Sequence, residues 1–278
     1  MNGRANMSTA ERRGKIIELL EVQGSVKVEE LATRFQVSSV TIRKDLDELE
    51  RRGLVRRSHG SAEATSKSLY NPSMGEKIAI HNEDKFHIAL AAAELVEEGD
   101  TVLLDSGSTT LTLAKVLKNR FQKLYIITNS IPISLEFSDR NWEVVLLGGT
   151  LRPHSGAAIG PTTVDNLQKY YADKVFLGTT SISVDRGYAT PNIIEAQTKE
   201  AMIRAARMRV VVSDSSKIGR HTLASFAALQ DIDVLVTDPQ APPGFLDKMK
   251  DLQLKVVFSS PIDPANHDSP QASLPRQN

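Results

Sequence analysis

Residues 38–62 read SSVTIRKDLDELERRGLVRRSHGSA, and the folding of this stretch decides what the remainder of the chain is for. Ser38 stands where a helix N-cap belongs, its hydroxyl placed to accept a backbone N–H two or three residues on. At helical spacing Ile42, Leu46 and Leu49 fall within about 60° of one another, which gives the helix an inner face. The opposite face carries Val40, Lys44, Asp47 and Glu48, with Thr41 and Arg43 on its flanks. Cations therefore sit in the N-terminal half and acids in the C-terminal half. That polarity suits a helix entering a DNA major groove, where the first turns meet the bases and the N-terminus favours phosphate. Gly53 ends the helix, Leu54-Val55 opens a strand, and Arg56-Arg57-Ser58-His59-Gly60 forms a basic turn suited to gripping a phosphate backbone. The expected contacts are Ser38, Ser39, Val40, Thr41, Arg43 and Lys44 in the groove, with Arg56, Arg57 and His59 on phosphate or minor groove. Any one helix of this kind is more commonly a solvated surface helix, so its neighbours have to decide.

Upstream, residues 1–8 are small and polar and predict a disordered N-terminus. Thr9 to Gln23 places Ile16, Ile17, Leu19 and Leu20 on one side of a helix, Gly24-Ser25 breaks the pattern, and Val28 to Phe35 makes a second short helix. Three helices, an N-cap and a basic hairpin thus fill residues 9–62. The segment from Glu11 to Ala62 resembles the winged helix-turn-helix of the DeoR family of bacterial transcriptional regulators. Its pattern S-x-x-T-I-R-[RK]-D-L-x-x-L-E-x-x-G-x-[LIV]-x-R is matched from Ser38 through Arg57, apart from one shift in the wing. The family usually continues His-Gly-Gly-Ala; here His59-Gly60-Ser61-Ala62 replaces the second glycine, and a less permissive wing turn is expected at Ser61.

Composition bounds the alternatives. The 278 residues contain no cysteine, which excludes disulfides, thiolate metal sites and cysteine nucleophiles. The start lacks the apolar core of a secretory signal, and nowhere do about 18 apolar residues run together, so a cytoplasmic protein with no membrane association is expected. Net charge is zero, but residues 1–62 hold 12 Lys and Arg against 9 Asp and Glu, leaving 22 against 25 for the rest. A basic head on a mildly acidic body is the result.

Residues 63–78 are Ser-rich with Pro72 and Gly75 and read as a linker. From there to residue 259 the chain alternates. A helix over Glu83–Glu98 closes at Gly99-Asp100. Short β-rich runs follow: TVLLD (101–105), YIITN (125–129), EVVLLG (143–148), KVFLG (174–178), VVVSD (210–214), DVLVTD (233–238) and KVVF (255–258). Apolar strands with helices between them predict a mostly parallel α/β sheet covered on both faces. Residues 260–278 are Pro-rich and unpatterned, a disordered tail by composition.

Open α/β sheets bind ligands beyond the C-terminal ends of their strands. After TVLLD, Ser106-Gly107-Ser108-Thr109-Thr110 leads into a helix, and a glycine turn, hydroxyls and helix N–H groups make a phosphate cradle. An ordinary βα turn fits the same letters. Thr128-Asn129-Ser130 ends the next strand. Gly148-Gly149 and Arg152 follow the third, and Arg152 suits a phosphate or a plain surface position alike. Gly178-Thr179-Thr180-Ser181 ends the fourth; Asp214-Ser215-Ser216-Lys217 ends the fifth, with a carboxylate and a cation close together. Glu195 and Lys199, at i,i+4, read as a stabilising surface pair. Loop residues around His154, Ser155, Tyr188 and Asn192 are the expected seat of ligand specificity. No phosphate-binding GxxxxGK[ST] or GxGxxG motif occurs, so no nucleotide cofactor and no metal are expected.

DSGSTT, TNS, GGTLR, the Asp173–Gly178 run and DSSK stand in the order found in the DeoR-family sensor domain, which resembles ribose-5-phosphate isomerase. The resemblance spans roughly residues 9–258. It implies an isomerase-like sensor fold, a phosphorylated sugar effector held by Asp105–Thr110, Thr128–Ser130, Gly148, Gly149, Arg152, Gly178, Asp214 and Lys217, and operator DNA as partner. It further implies a homodimer or homotetramer that represses a carbohydrate operon. An isomerase-like enzyme with an accessory DNA-binding domain is the competing reading. Aldose–ketose isomerisation needs a carboxylate base, and Gly178–Ser183, GTTSIS, supplies no acid where the isomerases carry several. A constitutive DNA-binding protein without an effector leaves the phosphate-type loops without a role.

Overall fold

The computed structural model describes residues 7–58, 60–65 and 72–260. His59, most of the expected N-terminal and C-terminal tails, and residues 66–71 of the expected linker lie outside them. The chain forms two compact units, Met1–Asn82 and Glu83–Asn278.

In the first unit α1 (Thr9–Gln23) starts at Ser8, whose hydroxyl accepts the Glu11 N–H, so Ser8 belongs to the helix start. There follow β1 (Ser25–Lys27), α2 (Val28–Phe35), α3 (Ser39–Arg51), β2 (Val55–Ser58), β3 (Ser61–Ala64) and α4 (Met74–Ala79). Ile16, Ile17 and Leu20 of α1 meet Leu31 of α2 and the predicted inner face of α3, Ile42, Leu46 and Leu49, in one core. The wing is a three-stranded sheet ordered β1-β3-β2, where sequence patterning gave only a hairpin. Val26 of β1 is buried opposite Ala62. Two expectations are corrected. Ser61 is a strand residue paired with Ser58, and Gly60, at φ +77°, takes the left-handed turn position, so no second glycine is required. The end of the expected linker is the helix α4, opened by a Ser73–Glu76 capping box, and Ile80 just beyond it is buried in the core of this unit.

The second unit runs α5 (Asn82–Ala93), β4 (Thr101–Leu104), α6 (Ser108–Arg120), β5 (Tyr125–Thr128), α7 (Ile131–Glu136), β6 (Glu143–Leu146), β7 (Thr150–Arg152), β8 (Ala157–Ile159), α8 (Pro161–Leu167), β9 (Ala172–Leu177), β10 (Ser181–Ser183), β11 (Gly187–Thr190), α9 (Ile193–Arg204), β12 (Ala206–Val212), β13 (Ala224–Ala227), β14 (Val234–Thr237), α10 (Pro243–Asp251) and β15 (Lys255–Phe258). The helix α5 is shorter than expected: Leu95 and Val96 donate to Ala92 and Ala93, three residues back, and unwind its last turn. All seven runs read from the sequence join one parallel sheet, ordered β15-β14-β12-β9-β4-β5-β6. Strand alternation splits the core. Val102, Leu104, Ile126 and Val210 face α5, α6 and α7, while Leu103, Ile127, Val175 and Val211 face α9 and α10.

The chain builds outward from β4 through β5 to β6, then returns to place β9 on the other side of β4. The switch point therefore lies between β4 and β9, the position at which such sheets open a crevice for a ligand. Two small antiparallel sheets, the pair β7-β8 and the three-stranded β10-β11-β13, are added to this frame. The β10–β11 turn depends on Gly187, at φ +67°, where a Cβ would overlap the carbonyl oxygen of Ala227. Gly187→Ala is expected to destabilise the second unit by more than about 1 kcal/mol, since the backbone strain and the clash add. Gly219→Ala, at φ +81° in open space, meets no neighbour and should cost less; thermal melting of the two variants separates the effects.

Candidate functional site

On α3 the Ser38 hydroxyl accepts the Thr41 N–H at 3.1 Å and lies 2.9 Å from the Thr41 hydroxyl, which fixes the first turn. Val40 is 55% exposed despite its apolar side chain. Arg43 and Lys44 are exposed as well, and Arg43 lies 3.9 Å from Glu29. Lys44 has no ion-pair partner among the described residues, so its ammonium is available to an outside anion. The wing arginines are less available. Arg56 pairs with its cross-strand neighbour Glu63 at 2.6 Å, and Arg57 pairs with Asp47 of α3. Asp45 is buried between Arg12 at 2.6 Å and Arg13 at 2.9 Å, an α1–α3 tie that the helical wheel did not reveal.

At the switch point of the sheet, the buried Asp105 carboxylate accepts from the N–H of Gly107 at 2.9 Å, the N–H of Gly178 at 3.1 Å, the Thr110 hydroxyl at 2.9 Å and the Lys199 ammonium. Lys199 also donates to the Gly178 carbonyl at 3.0 Å and lies 5.4 Å from the Phe226 ring centre. Asp105 is thereby saturated. These bonds make Asp105 part of the wall of the cradle. Thr110, Thr128 and Ser130 are likewise engaged within the fold: Thr110 donates to Asp105 O, Thr128 donates across to Leu104 O of β4, and Ser130 caps α7. What remains open is the Gly107-capped N-terminus of α6. The N–H groups of Ser108, Thr109 and Thr110 have no acceptor within the helix, and the hydroxyls of Ser106, Ser108 and Thr109 have no partner among the described residues.

The neighbouring strand ends complete the rim. Asn129 donates its amide to Ala158 O at 3.0 Å, which orients the side chain and leaves Oδ1 buried without a donor. Gly149 lies against Thr163, whose hydroxyl donates to Gly148 O, so this pair shapes a turn. Arg152 reaches Ser155 at 3.2 Å and Glu195 at 3.5 Å. Asp214 and Lys217 are 3.8 Å apart at the end of β12, two strand spacings, or roughly 10 Å, from the cradle. Glu195 and Lys199, expected on the surface as a pair, ignore one another: one turn apart on α9, Glu195 holds Arg152 and Lys199 holds Asp105. Tyr188, expected in a specificity loop, is fully buried against Phe226 with its hydroxyl unpartnered, and burial pushes its pKa up. Asn192 caps α9.

Residues 12–68 match the family model described as the DeoR-like helix-turn-helix domain, and residues 80–239 match the DeoR C terminal sensor domain. The chain belongs to the DeoR family of transcriptional regulators. The regulator is 40% identical over 233 residues to the HTH-type transcriptional regulator GlpR of Haloferax volcanii, covering 84% of this chain and 91% of that one. It is 33% identical over 251 residues to the glycerol-3-phosphate regulon repressor of Escherichia coli K12, covering 90% and 99%. Ribose 5-phosphate isomerase A of Methanocaldococcus jannaschii aligns with a TM-score of 0.37 and 19% identity over 49% of this chain and 54% of that one.

In this regulator Lys199 is the residue that sequence reasoning missed. The signal was its place one turn after Glu195 on a helix following the fourth strand, but nothing local marked it as buried. Lys199→Met should lower the melting temperature of the second unit markedly, because an unpaired buried Asp105 costs about 3–5 kcal/mol. Substituting both Asp105→Asn and Lys199→Met should cost less than the Lys199 change alone; a double-mutant cycle by thermal melting reads the difference.

Proposed function

We propose that this regulator is a repressor of a carbohydrate-utilisation operon, released when a phosphorylated sugar occupies the crevice between β4 and β9. The observation that carries the reading is the α6 N-terminus, where free N–H groups and the Ser106, Ser108 and Thr109 hydroxyls converge beside the Asp105–Lys199 pair. Those donors suit a phosphate. The unpartnered Asn129 Oδ1 suits a ligand hydroxyl, and Arg152 is held by Glu195, which lies one turn before Lys199 on α9. The name of the Escherichia coli relative, glycerol-3-phosphate regulon repressor, supports an effector of this phosphorylated class. Among the described residues no helix is long and apolar enough to cross a membrane, in keeping with a protein that works on DNA in the cytoplasm.

On DNA, α3 would enter the major groove with Ser38, Ser39, Val40, Thr41, Arg43 and Lys44, and Arg56 and Arg57 would exchange their internal acids for phosphate. A homodimer or homotetramer presents symmetric heads to repeated half-sites. The effector acts by binding one arrangement of the heads more tightly than another. Catalysis is not part of this reading: Asp105 is saturated, Glu195 is engaged with Arg152, and Gly178–Ser183 carries no acid.

Lys44→Ala is expected to weaken binding to the operator and to reduce the slope of log affinity against log salt by about one if Lys44 meets phosphate. An unchanged affinity and slope would remove Lys44 from the interface. For the effector, thermal shift against a panel of hexose, pentose, polyol and amino-sugar phosphates should single out one class. A ligand at a hundred times its Kd adds about 2.7 kcal/mol of stability. Turnover of a phosphorylated aldose by the purified protein would instead favour the enzyme reading.

A further inference from the structure

We propose that Glu76 is a positioning residue for DNA reading, and that the short helix α4 is the fourth helix of the reading head. Arg52 is the residue immediately after α3. Its guanidinium meets the Glu76 carboxylate as a fork on a fork, Nη1 to Oε1 at 2.7 Å and Nη2 to Oε2 at 2.8 Å. Glu76 is 1% exposed, and the same carboxylate accepts from the Ser73 N–H at 2.7 Å and the Ser73 hydroxyl at 2.8 Å. One side chain therefore closes the N-terminus of α4 and holds the C-terminus of α3. Burial is the largest influence on its pKa and pushes it up, yet the bonds from Arg52 and Ser73 together outweigh it and hold the carboxyl below the usual range. It stays ionised.

The helix that carries Glu76 is itself firmly seated. A Cβ on Gly14 of α1 would come within 2.6 Å of the Glu76 carbonyl oxygen and 2.8 Å of the Ala79 Cβ, so the two helix backbones approach as closely as glycine allows. Gly75 faces Ala10 in the same way at 3.0 Å, and Ile80 enters the core of the head. The recognition helix is thus pinned twice. Its middle is tied to α1 through Asp45 with Arg12 and Arg13, and its end is tied to α4 through Arg52. Val40 to Lys44 stand at the opposite end of α3 from Arg52, roughly 12–18 Å away along the axis. A tilt of about 5° at the Arg52 end would move the reading residues by roughly 1 Å, enough to misalign base contacts without unfolding the head. A surface ion pair on a linker has no such reach.

The test uses the full chain with Glu76→Gln, Arg52→Met, Arg52→Lys and the double Glu76→Gln/Arg52→Met. Two DNA probes are compared, a duplex that the unsubstituted protein selects from a random pool and a scrambled duplex of equal length. Each single change to Gln or Met is expected to weaken binding to the selected duplex at least tenfold while changing the scrambled duplex less than twofold. The double variant should lose no more than the worse single, because the two groups act as one, and Arg52→Lys, which keeps the charge without the fork, should fall between. Unchanged discrimination, additive losses, or equal losses on both duplexes tracking a lowered melting temperature would overturn the assignment. Glu76→Gln keeps the shape of the capping side chain, and should it alone fail to fold, Arg52→Lys decides.

Discussion

A carboxylate buried at the end of β4, an inner strand of the parallel sheet, is nearly out of reach of water, and Asp105 is held there by the ammonium of Lys199. Neither charge is tolerable in that position alone. Their pairing draws α9 across the strand ends, fixes the Gly107 and Gly178 loops through their N–H groups, and leaves the α6 N-terminus unobstructed. The Arg152 hairpin is then gathered by Glu195, one turn earlier on the same helix. The donors that face the crevice are open because the acid beside them is occupied from within.

The reading head solves the same problem with opposite polarity. Asp45 on the recognition helix is buried against two arginines of α1, whereas Arg52 on the same helix is received by a buried acid. Ion pairs of this kind are weak evidence for net stability but demand one geometry, since every lone pair and proton must be matched. A helix that reads base edges needs that definition more than it needs additional burial.

Most of the parallel sheet was legible because its strands are apolar on both faces and stand alone as β-rich runs between turn residues. The recognition helix was legible because its inner face repeats at helical spacing. Three features were hidden for physical reasons. β1 and the small antiparallel strands are three or four residues long, too short for a period to show. The helix α4 spans six residues, and Gly75 and the preceding Pro72 masked its Ser73–Glu76 capping signature. Lys199 looked like a partner for Glu195 because spacing along a helix reports which residues share a face, not what that face meets. The letters Asp105–Thr110 marked the turn into α6, but not that Asp105 would be engaged from within by Gly107, Gly178 and Lys199.

The order of strands in the sheet carries a consequence for the chain during synthesis. The contacts that assemble the reading head lie within residues 7–80, a local set that can close early. The crevice has its floor at Asp105 and its clamp at Lys199, 94 residues later, with the facing wall supplied by β9 in between. A growing polypeptide can therefore complete its helix-turn-helix unit well before the crevice of the second unit can close around Asp105.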